Sequence, residues 1–399
     1  MDNLLFLVHR IPYPPNKGDK IRSFHFLKHL SQHFNIYVGA FIDDAEDLAY
    51  INTVQQYCSD VKLIRINPLL RTVISAKGLL TGRSLSVPYY DIDSMYQWVD
   101  EVVERHQIKK AFIFSSVMAQ FVIRHKSLDV IADYVDIDSD KWRQYAEKKP
   151  WPISWVYKRE SKCLLDFERT TAKLSRQVLF VSKKEANLFV SLSGGLKNID
   201  YVNNGVDIDY FTPDKNFVSP YKEDEIAIVF TGAMDYWANV DAVVWFVDKV
   251  LPELVAKKST VMFYIVGSKP TSKVKGLEAH KNVTVTGRVE DMRPFLQFAN
   301  VTVAPLRIAR GIQNKVLEAM AMGKAVVASP QAMEGIDANT SGVCVADTPS
   351  QFIDAVMDMS ALDGFNPTNR LFVETEFSWA ESSKKLVGII NQNALLKES

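Results

Sequence analysis

The chain has 399 residues, of which 47 are basic and 47 acidic, so its formal net charge is zero. This length suits two or three domains. Apolar residues at 47% and charged residues at 24% are typical of a globular chain and not of a disordered one. The balance of charge gives no indication of a nucleic-acid partner.

No stretch of the sequence predicts a helix that crosses a membrane. The longest runs without a formal charge have about 13 residues, such as 111–123, whereas a span needs about 20. The apolar run 4–8 is too short for a signal peptide. Three widely separated cysteines, Cys58, Cys163 and Cys344, indicate a reducing compartment without disulfides or structural zinc. We therefore expect a cytoplasmic protein.

Short apolar runs alternate with helical patterns along the first half of the chain. Such alternation predicts an open, mostly parallel sheet covered by helices. Residues 203–225 are rich in Asn, Asp, Pro and Gly and show no periodicity, which indicates a linker. The predicted strands of this half are 4–8, 36–42, 61–66, 111–114, 130–135 and 178–181, and its predicted helices include 20–33, 45–57 and 92–105.

A second alternating series follows the linker. Two similar α/β domains joined in this way predict a deep cleft, with ligands at the carboxyl ends of the strands. The predicted strands are 226–231, 261–266, 283–286, 301–304, 325–328 and 343–345, and the helices are 239–257, 290–298, 312–322 and 349–359. We divide the chain into a first domain (1–204), a linker (205–225), a second domain (226–376) and a C-terminal helix (377–399), which could pack back on the first domain.

Several common motifs are absent from the sequence. No G-x-G-x-x-G follows a strand, there is no P-loop, and neither G-x-S-x-G nor H-E-x-x-H occurs. D-x-D pairs such as Asp136 and Asp138 could hold a divalent ion, but helix caps and turns explain such pairs more often. We therefore predict no metal site.

The most informative segment reads VTVAPLRIARGIQNKVLEAMAMGKAVVAS. Gly311 precedes a helix, where backbone N–H groups and the helix dipole attract an anion. Arg310 and Lys315 bring two cations to the same place. Asn314 and Glu318 share one helix face, where a carboxylate could accept bonds from sugar hydroxyls. The segment predicts a phosphate site, although a surface ion pair between Lys315 and Glu318 explains the spacing equally well.

Two segments of the first domain follow the same logic. In PYPPNKGDKIRSFHFLKHL, Gly18 precedes a helix whose start carries Lys20. An anionic ligand would remove the conflict between such cations and the helix dipole, and a plain turn with exposed lysines is the alternative. In DYVDIDSDKW, Asp138 follows an apolar strand, where it could orient an acceptor hydroxyl or act as a base, or simply cap the next helix.

The stretch WRQYAEKKPWPISWVYKR places Trp142, Trp151 and Trp155 among basic residues. Aromatic residues interleaved with Lys and Arg suit a membrane interface that carries anionic lipids. Core aromatics with solvated lysines are the alternative.

Taken together, these motifs resemble a known family. The stretches FTGAMDYWANVDAVVWF, VTVTGRVEDMRPFLQFANVTVAPL and KVLEAMAMGKAVVAS look like the donor domain of the retaining glycosyltransferases of family 4. With the two first-domain motifs, nearly the whole chain resembles a sugar transferase subgroup associated with exosortase-type exopolysaccharide gene clusters. The resemblance implies an α/β GT-B fold, in which two Rossmann-like domains face each other across a deep cleft.

The resemblance also implies roles for individual residues. The family usually has two glutamates with seven residues between them, and the second matches Glu318, which would hold the ribose hydroxyls of a nucleotide. Arg310 stands where the first belongs, which puts the usual contact with the donor sugar in doubt. Gly311 keeps the family's glycine. Further nucleotide-sugar contacts would come from Gly232, Asn239 and Arg288.

The sequence therefore predicts a retaining, metal-independent glycosyltransferase that uses a nucleotide-diphosphate sugar and no cofactor. Arg310, Gly311 and Lys315 would hold the diphosphate, and Gly18 would approach it when the cleft closes. Asp138, Glu318 and Arg310 are the expected catalytic residues, with Asp138 on the acceptor side; Lys20 and Asn314 complete the expected donor contacts.

The acceptor would be a saccharide or a lipid-linked saccharide in exopolysaccharide or cell-envelope synthesis, and the enzyme would lie in the cytoplasm or at the inner face of the cytoplasmic membrane. Two alternatives stay open. One is a nucleotide-sugar epimerase of the same fold, and the other is a non-catalytic protein that binds a nucleotide sugar.

Overall fold

The computed structural model describes residues 1–15, 18–76, 78–147, 149–309, 311–362 and 364–392. The chain divides into two units: the first is Met1–Asn204 with the residues from Ser382 onward, and the second is Gly205–Glu381. Each unit contains a parallel sheet and a buried apolar core of its own. The two predicted α/β domains are therefore confirmed.

The sheet of the first unit has seven strands within the described residues, and all its pairings are parallel. The strands are β1 (Asp2–Val8), β2 (Phe34–Ile42), β3 (Asp60–Arg65), β4 (Lys110–Phe114), β5 (Asp129–Val135), β6 (Gln177–Phe180) and β7 (Ile199–Tyr201). Their order is β3-β2-β1-β4-β5-β6-β7. Residues 4–8 are buried without alternation because both faces of this central strand are covered.

Helices separate most of these strands. They are α1 (Gly18–Leu30), α2 (Ile51–Gln55), α3 (Pro68–Ser75), α4 (Gly78–Thr81), α5 (Ser86–Tyr90), α6 (Asp93–Arg105), α7 (Asp138–Glu147), α8 (Ile153–Leu174) and α9 (Lys183–Ser193). The predicted helix 45–57 is a 3-10 helix, Ala45–Tyr50, followed by α2.

The second unit has a six-stranded sheet within the described residues, again with parallel pairings. Its strands are β8 (Ile226–Thr231), β9 (Val261–Val266), β10 (Val283–Gly287), β11 (Val301–Ala304), β12 (Val326–Ala328) and β13 (Val343–Val345). The order is β10-β9-β8-β11-β12-β13, so the direction in which strands are added reverses between β8 and β11.

The helices of the second unit are α10 (Trp237–Lys249), α11 (Leu251–Lys257), α12 (Ser272–Lys275), α13 (Arg293–Gln297), α14 (Asn314–Ala321), α15 (Pro349–Ser360) and α16 (Pro367–Glu376). The single helix predicted over 239–257 is divided into α10 and α11. Pro252 at the start of α11 has no N–H to donate to the preceding turn, which explains the break.

Residues 205–225, which we predicted to be a linker, pack on the second unit. Val206 and Phe211 are buried in its core, and Val206 forms an isolated bridge with Ser378. The last helix is α17 (Trp379–Asn391). From Ser382 onward it belongs to the first unit, where Arg176 donates a hydrogen bond to the carbonyl of Ile389 at 2.8 Å.

Candidate functional site

The reversal in the second sheet marks the place where open α/β sheets bind ligands, at the carboxyl ends of the strands. Gly232 follows β8 there, and the loop after β11 leads into α14. These segments and α10 carry most of the predicted donor-site residues: Gly232, Asn239, Gly311, Asn314, Lys315 and Glu318.

The ends of β8 and β9 approach each other closely. A Cβ on Gly267 would lie 1.8 Å from the carbonyl oxygen of Gly232. A Cβ on Gly232 would lie 2.7 Å from Nδ2 of Asn239 and 3.2 Å from Nζ of Lys315. Glycine at position 232 therefore leaves room for both polar groups.

Lys315 supplies the cation of this site. Its Nζ donates a hydrogen bond to Oδ1 of Asn239 at 2.5 Å and lies 4.1 Å from the centre of the Phe230 ring. Nδ2 of Asn239 donates to the carbonyl of Ala233 at 2.8 Å, which orients Oδ1 toward the lysine. Burial lowers the pKa of Lys315 to about 7, against the opposing effect of Glu318. Neither the amide nor the ring neutralises the ammonium, so its charge is available to an anion.

Glu318 lies on the same face of α14 as Lys315, one turn further along. Burial raises the pKa of this half-buried carboxyl to about 7, although Lys315 opposes the shift. In the part of the chain that the structure describes, no group forms a hydrogen bond or ion pair with the side-chain carboxyl of Glu318, so the alternative ion pair with Lys315 is not formed. The backbone carbonyl of Glu318 accepts a hydrogen bond from the N–H of Met322 at 3.1 Å. Such a carboxylate is stabilised when a ligand brings hydrogen-bond donors to it.

The start of α14 has no capping side chain. Gln313 occupies the N-cap, but its Nε2 donates to the carbonyl of Gly311 at 2.9 Å and no cap hydrogen bond is made. Gly311 has φ +65°, and a Cβ there would meet nothing within 4 Å. The Val316 N–H donates to the carbonyl of Gln313 at 3.0 Å. The N–H groups of Asn314 and Lys315, the first two residues of α14, have no acceptor within the helix and could bind an anion.

The remaining donor-site predictions have different outcomes. Asn314 is exposed at the first position of α14. Arg288 is exposed just after β10, two strands away from β8, without an ion pair among the described residues. Arg310 lies outside the described residues, so its role stays a prediction.

In the first unit, the prediction for Lys20 must be corrected. Its ammonium is buried and donates to Oδ2 of Asp47 at 2.5 Å. Lys20 shares a helix face with Ser23 and Leu27, which are also buried. The lysine therefore points into the unit and neutralises an internal carboxylate, and it does not present its charge to a phosphate.

Gly18 and Asp138 are each the first residue of a helix, α1 and α7. A Cβ at position 18 would meet nothing within 4 Å, so the backbone there is open. Asp138 is half-buried and pairs with Lys141 at 3.1 Å; Lys141 also pairs with Asp136 at 3.0 Å. The Asp138 carboxylate is therefore already partly neutralised.

A charged cluster at the end of β1 escaped the sequence reasoning. Nε2 of His9 lies 3.3 Å from Oδ2 of Asp19, and Nη1 of Arg10 donates to the same oxygen at 2.7 Å. Arg10 also pairs with Asp43 at 2.8 Å. Although burial acts in the opposite direction, the bond from His9 and the two positive charges lower the pKa of Asp19. The available signal was the His-Arg pair immediately after a buried strand.

The three tryptophans of the aromatic and basic stretch are not equivalent. Trp142 is half-buried against the first core, with its ring centre 4.9 Å from that of Tyr157. Trp151 and Trp155 are 80% and 55% exposed. The membrane prediction must therefore be corrected to exclude Trp142.

Among the described residues, no group of three or more His, Cys, Asp or Glu side chains is arranged to hold a metal ion. The helices of the described residues also include none that is long and apolar enough to cross a membrane.

Comparison with known proteins gives a family match within the second unit. Residues 225–361 match the family model described as glycosyl transferases group 1. A search of curated protein sequences found no match to this chain.

Several solved structures share the fold of nearly the whole chain. Alr3699/HepE from Anabaena, in complex with UDP, has a TM-score of 0.64 at 13% identity, with 98% of this chain and 99% of that chain covered. Sucrose-phosphate synthase from Thermosynechococcus elongatus has a TM-score of 0.65 at 14% identity, with 98% of both chains covered. WaaG, a glycosyltransferase involved in lipopolysaccharide biosynthesis, has a TM-score of 0.56 at 15% identity, with 98% and 100% covered. The likeness confirms the GT-B fold with its two Rossmann-like domains.

Proposed function

We propose that this chain, which has a glycosyl transferases group 1 domain and the GT-B fold, transfers a sugar from a nucleotide-diphosphate sugar. The acceptor would be a saccharide or a lipid-linked saccharide. The family match and the fold support glycosyl transfer from a nucleotide sugar. The single observation that carries the proposal is the position of Lys315. It places a cation where the sheet reverses, beside an uncapped helix start and one turn from a carboxylate without a protein partner.

This arrangement suits cleavage of a bond to a diphosphate. As the sugar departs, negative charge develops on the nucleoside diphosphate, and preorganised donors stabilise that charge. The Lys315 ammonium and the N–H groups at the start of α14 would supply this stabilisation, with Arg310 and Gly311 beside them. Glu318 would accept hydrogen bonds from the ribose hydroxyls. Asn239 would hold the Lys315 ammonium in place, and Arg288 would add a second cation.

We further propose that the reaction retains the anomeric configuration and needs no metal, because cations of the protein can neutralise the leaving group. This agrees with the resemblance of the sequence to the retaining enzymes of family 4 and to their exosortase-associated subgroup. The proposed pathway is exopolysaccharide or cell-envelope synthesis in the cytoplasm, at the inner face of the cytoplasmic membrane. Gly18 is proposed to approach the diphosphate when the cleft closes, and Asp138 is the proposed acceptor-side residue.

Thermal unfolding with nucleotides tests the donor site. Alr3699/HepE is described in complex with UDP and with UDP-glucose, so UDP is the first probe, with GDP and ADP beside it. A nucleotide at 100 times its dissociation constant adds about 2.7 kcal/mol to the free energy of unfolding. That corresponds to an increase of a few degrees in Tm. We expect one nucleotide to give this shift equally in magnesium and in EDTA.

Two results would contradict parts of this proposal. If none of the nucleotides raised the Tm, the donor site would be wrong; if only samples with magnesium responded, metal independence would be wrong. Configuration is tested separately, by NMR of the anomeric proton of the released or transferred sugar. An inverted anomer would exclude the retaining mechanism.

The alternative of a non-catalytic nucleotide-sugar binding protein is favoured by one observation, Arg310 at the position where the family usually has glutamate. Turnover separates the two functions. A binding protein would show the shift in Tm with UDP and would release no UDP from UDP-glucose with any acceptor offered.

A further inference from the structure

Helix α3 turns apolar side chains toward solvent. Leu69, Leu70 and Val73 are 81%, 57% and 70% exposed, and we call these three residues the α3 patch. Ser75, on the other side of the helix, is buried. A surface helix normally buries its apolar face and exposes its polar one. The reversed orientation of α3 leaves a contiguous apolar surface of the kind that marks an interaction site.

The orientation of α3 is held by polar contacts within the first unit. Nε and Nη2 of Arg71 donate to backbone carbonyls of residues 88–91 at 2.6–2.7 Å. Asn67 caps the start of the helix, where its Oδ1 accepts bonds from two backbone N–H groups. The α3 patch is therefore presented by an anchored helix, and its exposure does not come from fraying.

The start of α8 lies beside the segment that follows α3. Nη2 of Arg159 donates to the carbonyl of Gly78 at 2.6 Å. Trp155 lies one turn before Arg159 on the same face of α8. This contact brings the exposed Trp155, with Trp151 just ahead of it, to the neighbourhood of the α3–α4 segment. Exposed tryptophans are favoured at the boundary between lipid and water.

Basic side chains predominate around the α3 patch, although Asp43 and Asp44 line the same groove as Leu69; of these two, Asp43 is paired with Arg10. Residues 61–90 include five basic residues and neither Asp nor Glu. Arg65 and Arg83 are exposed and have no ion partner among the described residues, and the same holds for Lys149 and Lys158 near the tryptophans. Free cations that flank an apolar helix complement a surface of anionic headgroups.

We propose that the α3 patch, together with Trp151 and Trp155, inserts into the interfacial region of an anionic phospholipid bilayer and docks the first unit there. The α3 helix has only eight residues, so it would lie in the plane of the interface. The proposal rests on the membrane location given under the proposed function and names the surface that would make the contact. Its test is vesicle binding, which is measurable without sugar transfer.

Flotation with lipid vesicles tests this proposal on the full chain. The vesicles contain phosphatidylcholine with about one third phosphatidylglycerol, or phosphatidylcholine alone. We expect the parent chain to float with the anionic vesicles only, and L69S/L70S/V73S to lower the partition coefficient about tenfold or more, because the apolar contact is lost. The matched control V218S/L362S/L371S removes three exposed apolar side chains of the second unit and should bind like the parent.

A charge variant gives a second, independent measurement. R65Q/R83Q keeps the α3 patch intact, and we expect it to bind anionic vesicles more weakly and with a smaller dependence on salt. The proposal is overturned if the parent fails to float with anionic vesicles, if neutral vesicles bind it equally, or if L69S/L70S/V73S floats like the parent. One further result would overturn it. If the parent self-associates without binding vesicles, and L69S/L70S/V73S abolishes that self-association, then the α3 patch binds a second copy of the chain. The Tm of every variant is measured with and without UDP. The value without UDP reports whether the variant is folded, and the increase with UDP reports whether the donor site is intact.

Discussion

Lys315→Met is expected to lower the affinity for UDP and the rate of transfer by two to three orders of magnitude. Methionine keeps the length of the side chain and its contact with Phe230, but it removes the cation that would face the diphosphate. Loss of one preorganised donor to a developing charge typically costs about 2.7–4 kcal/mol. Titration calorimetry with UDP and the rate of sugar transfer measure the two effects.

The same substitution should stabilise the protein without ligand. The pKa of Lys315 falls from an ordinary value of 10.5 to about 7 because the ammonium is taken out of water. Between these values the unfolded chain binds more protons than the folded one, so the stability of the parent increases with pH in that window. K315M lacks this contribution to the pH dependence, and its urea midpoint at pH 7 should exceed that of the parent.

Lys249→Met is the matched control, since Lys249 is exposed on α10. It should change neither UDP affinity nor the pH dependence of unfolding. The assignment fails if K315M binds UDP within threefold of the parent, whatever happens to its stability.

Glu318→Ala is expected to lower the affinity for UDP by about ten- to a hundredfold, since hydrogen bonds to a charged group contribute about 1.5–3 kcal/mol. This loss of affinity should depend on the ribose, because the carboxylate would accept hydrogen bonds from the ribose hydroxyls. The variant should therefore bind 2′,3′-dideoxy-UDP as weakly as the parent does. Competition binding with the two nucleotides on parent and variant gives the coupling directly.

The exposed Glu253 on α11 offers a control, and Glu253→Ala should behave like the parent with both nucleotides. If E318A lost affinity for UDP and for dideoxy-UDP equally, the carboxylate would act through the fold or the diphosphate and not through the ribose. Activity within threefold of the parent would remove Glu318 from the site.

The architecture could be predicted from the sequence because buried parallel strands are continuous apolar runs. The predicted strands 226–231, 261–266 and 301–304 coincide with β8, β9 and β11. Strand β7 was missed, since its sequence Ile-Asp-Tyr has a charged residue at its centre and forms no apolar run, unlike the equally short β13, Val-Cys-Val. The alternation of strands and helices also predicted a ligand site at the carboxyl ends of the strands. The reversal between β8 and β11, which marks the position along that edge, was visible only in the structure.

Contacts between distant positions could not be predicted. The bond between Lys315 and Asn239 joins residues 76 positions apart, and it depends on the sheet placing β11 beside β8. Lys20 was assigned to phosphate binding because its partner Asp47 is 27 positions away and no periodicity reveals it. The sequence also does not show which side of α3 faces solvent, because an amphipathic helix has the same pattern whether its apolar side faces a core or solvent.

Substitutions at the two glycines that follow β8 and β9, Gly232 and Gly267, would harm the protein in different ways. At position 267 any side chain would collide with a backbone carbonyl at 1.8 Å, so a substitution removes the folded protein itself. At position 232 the collision is with the ends of two side chains, at 2.7 and 3.2 Å, and these can move. The backbone at 232 also has φ +153°, so a side chain there is strained even after those two groups move. A mutant at 232 therefore loses some stability together with the arrangement of Lys315 and Asn239, whereas a mutant at 267 meets a backbone carbonyl that cannot move aside.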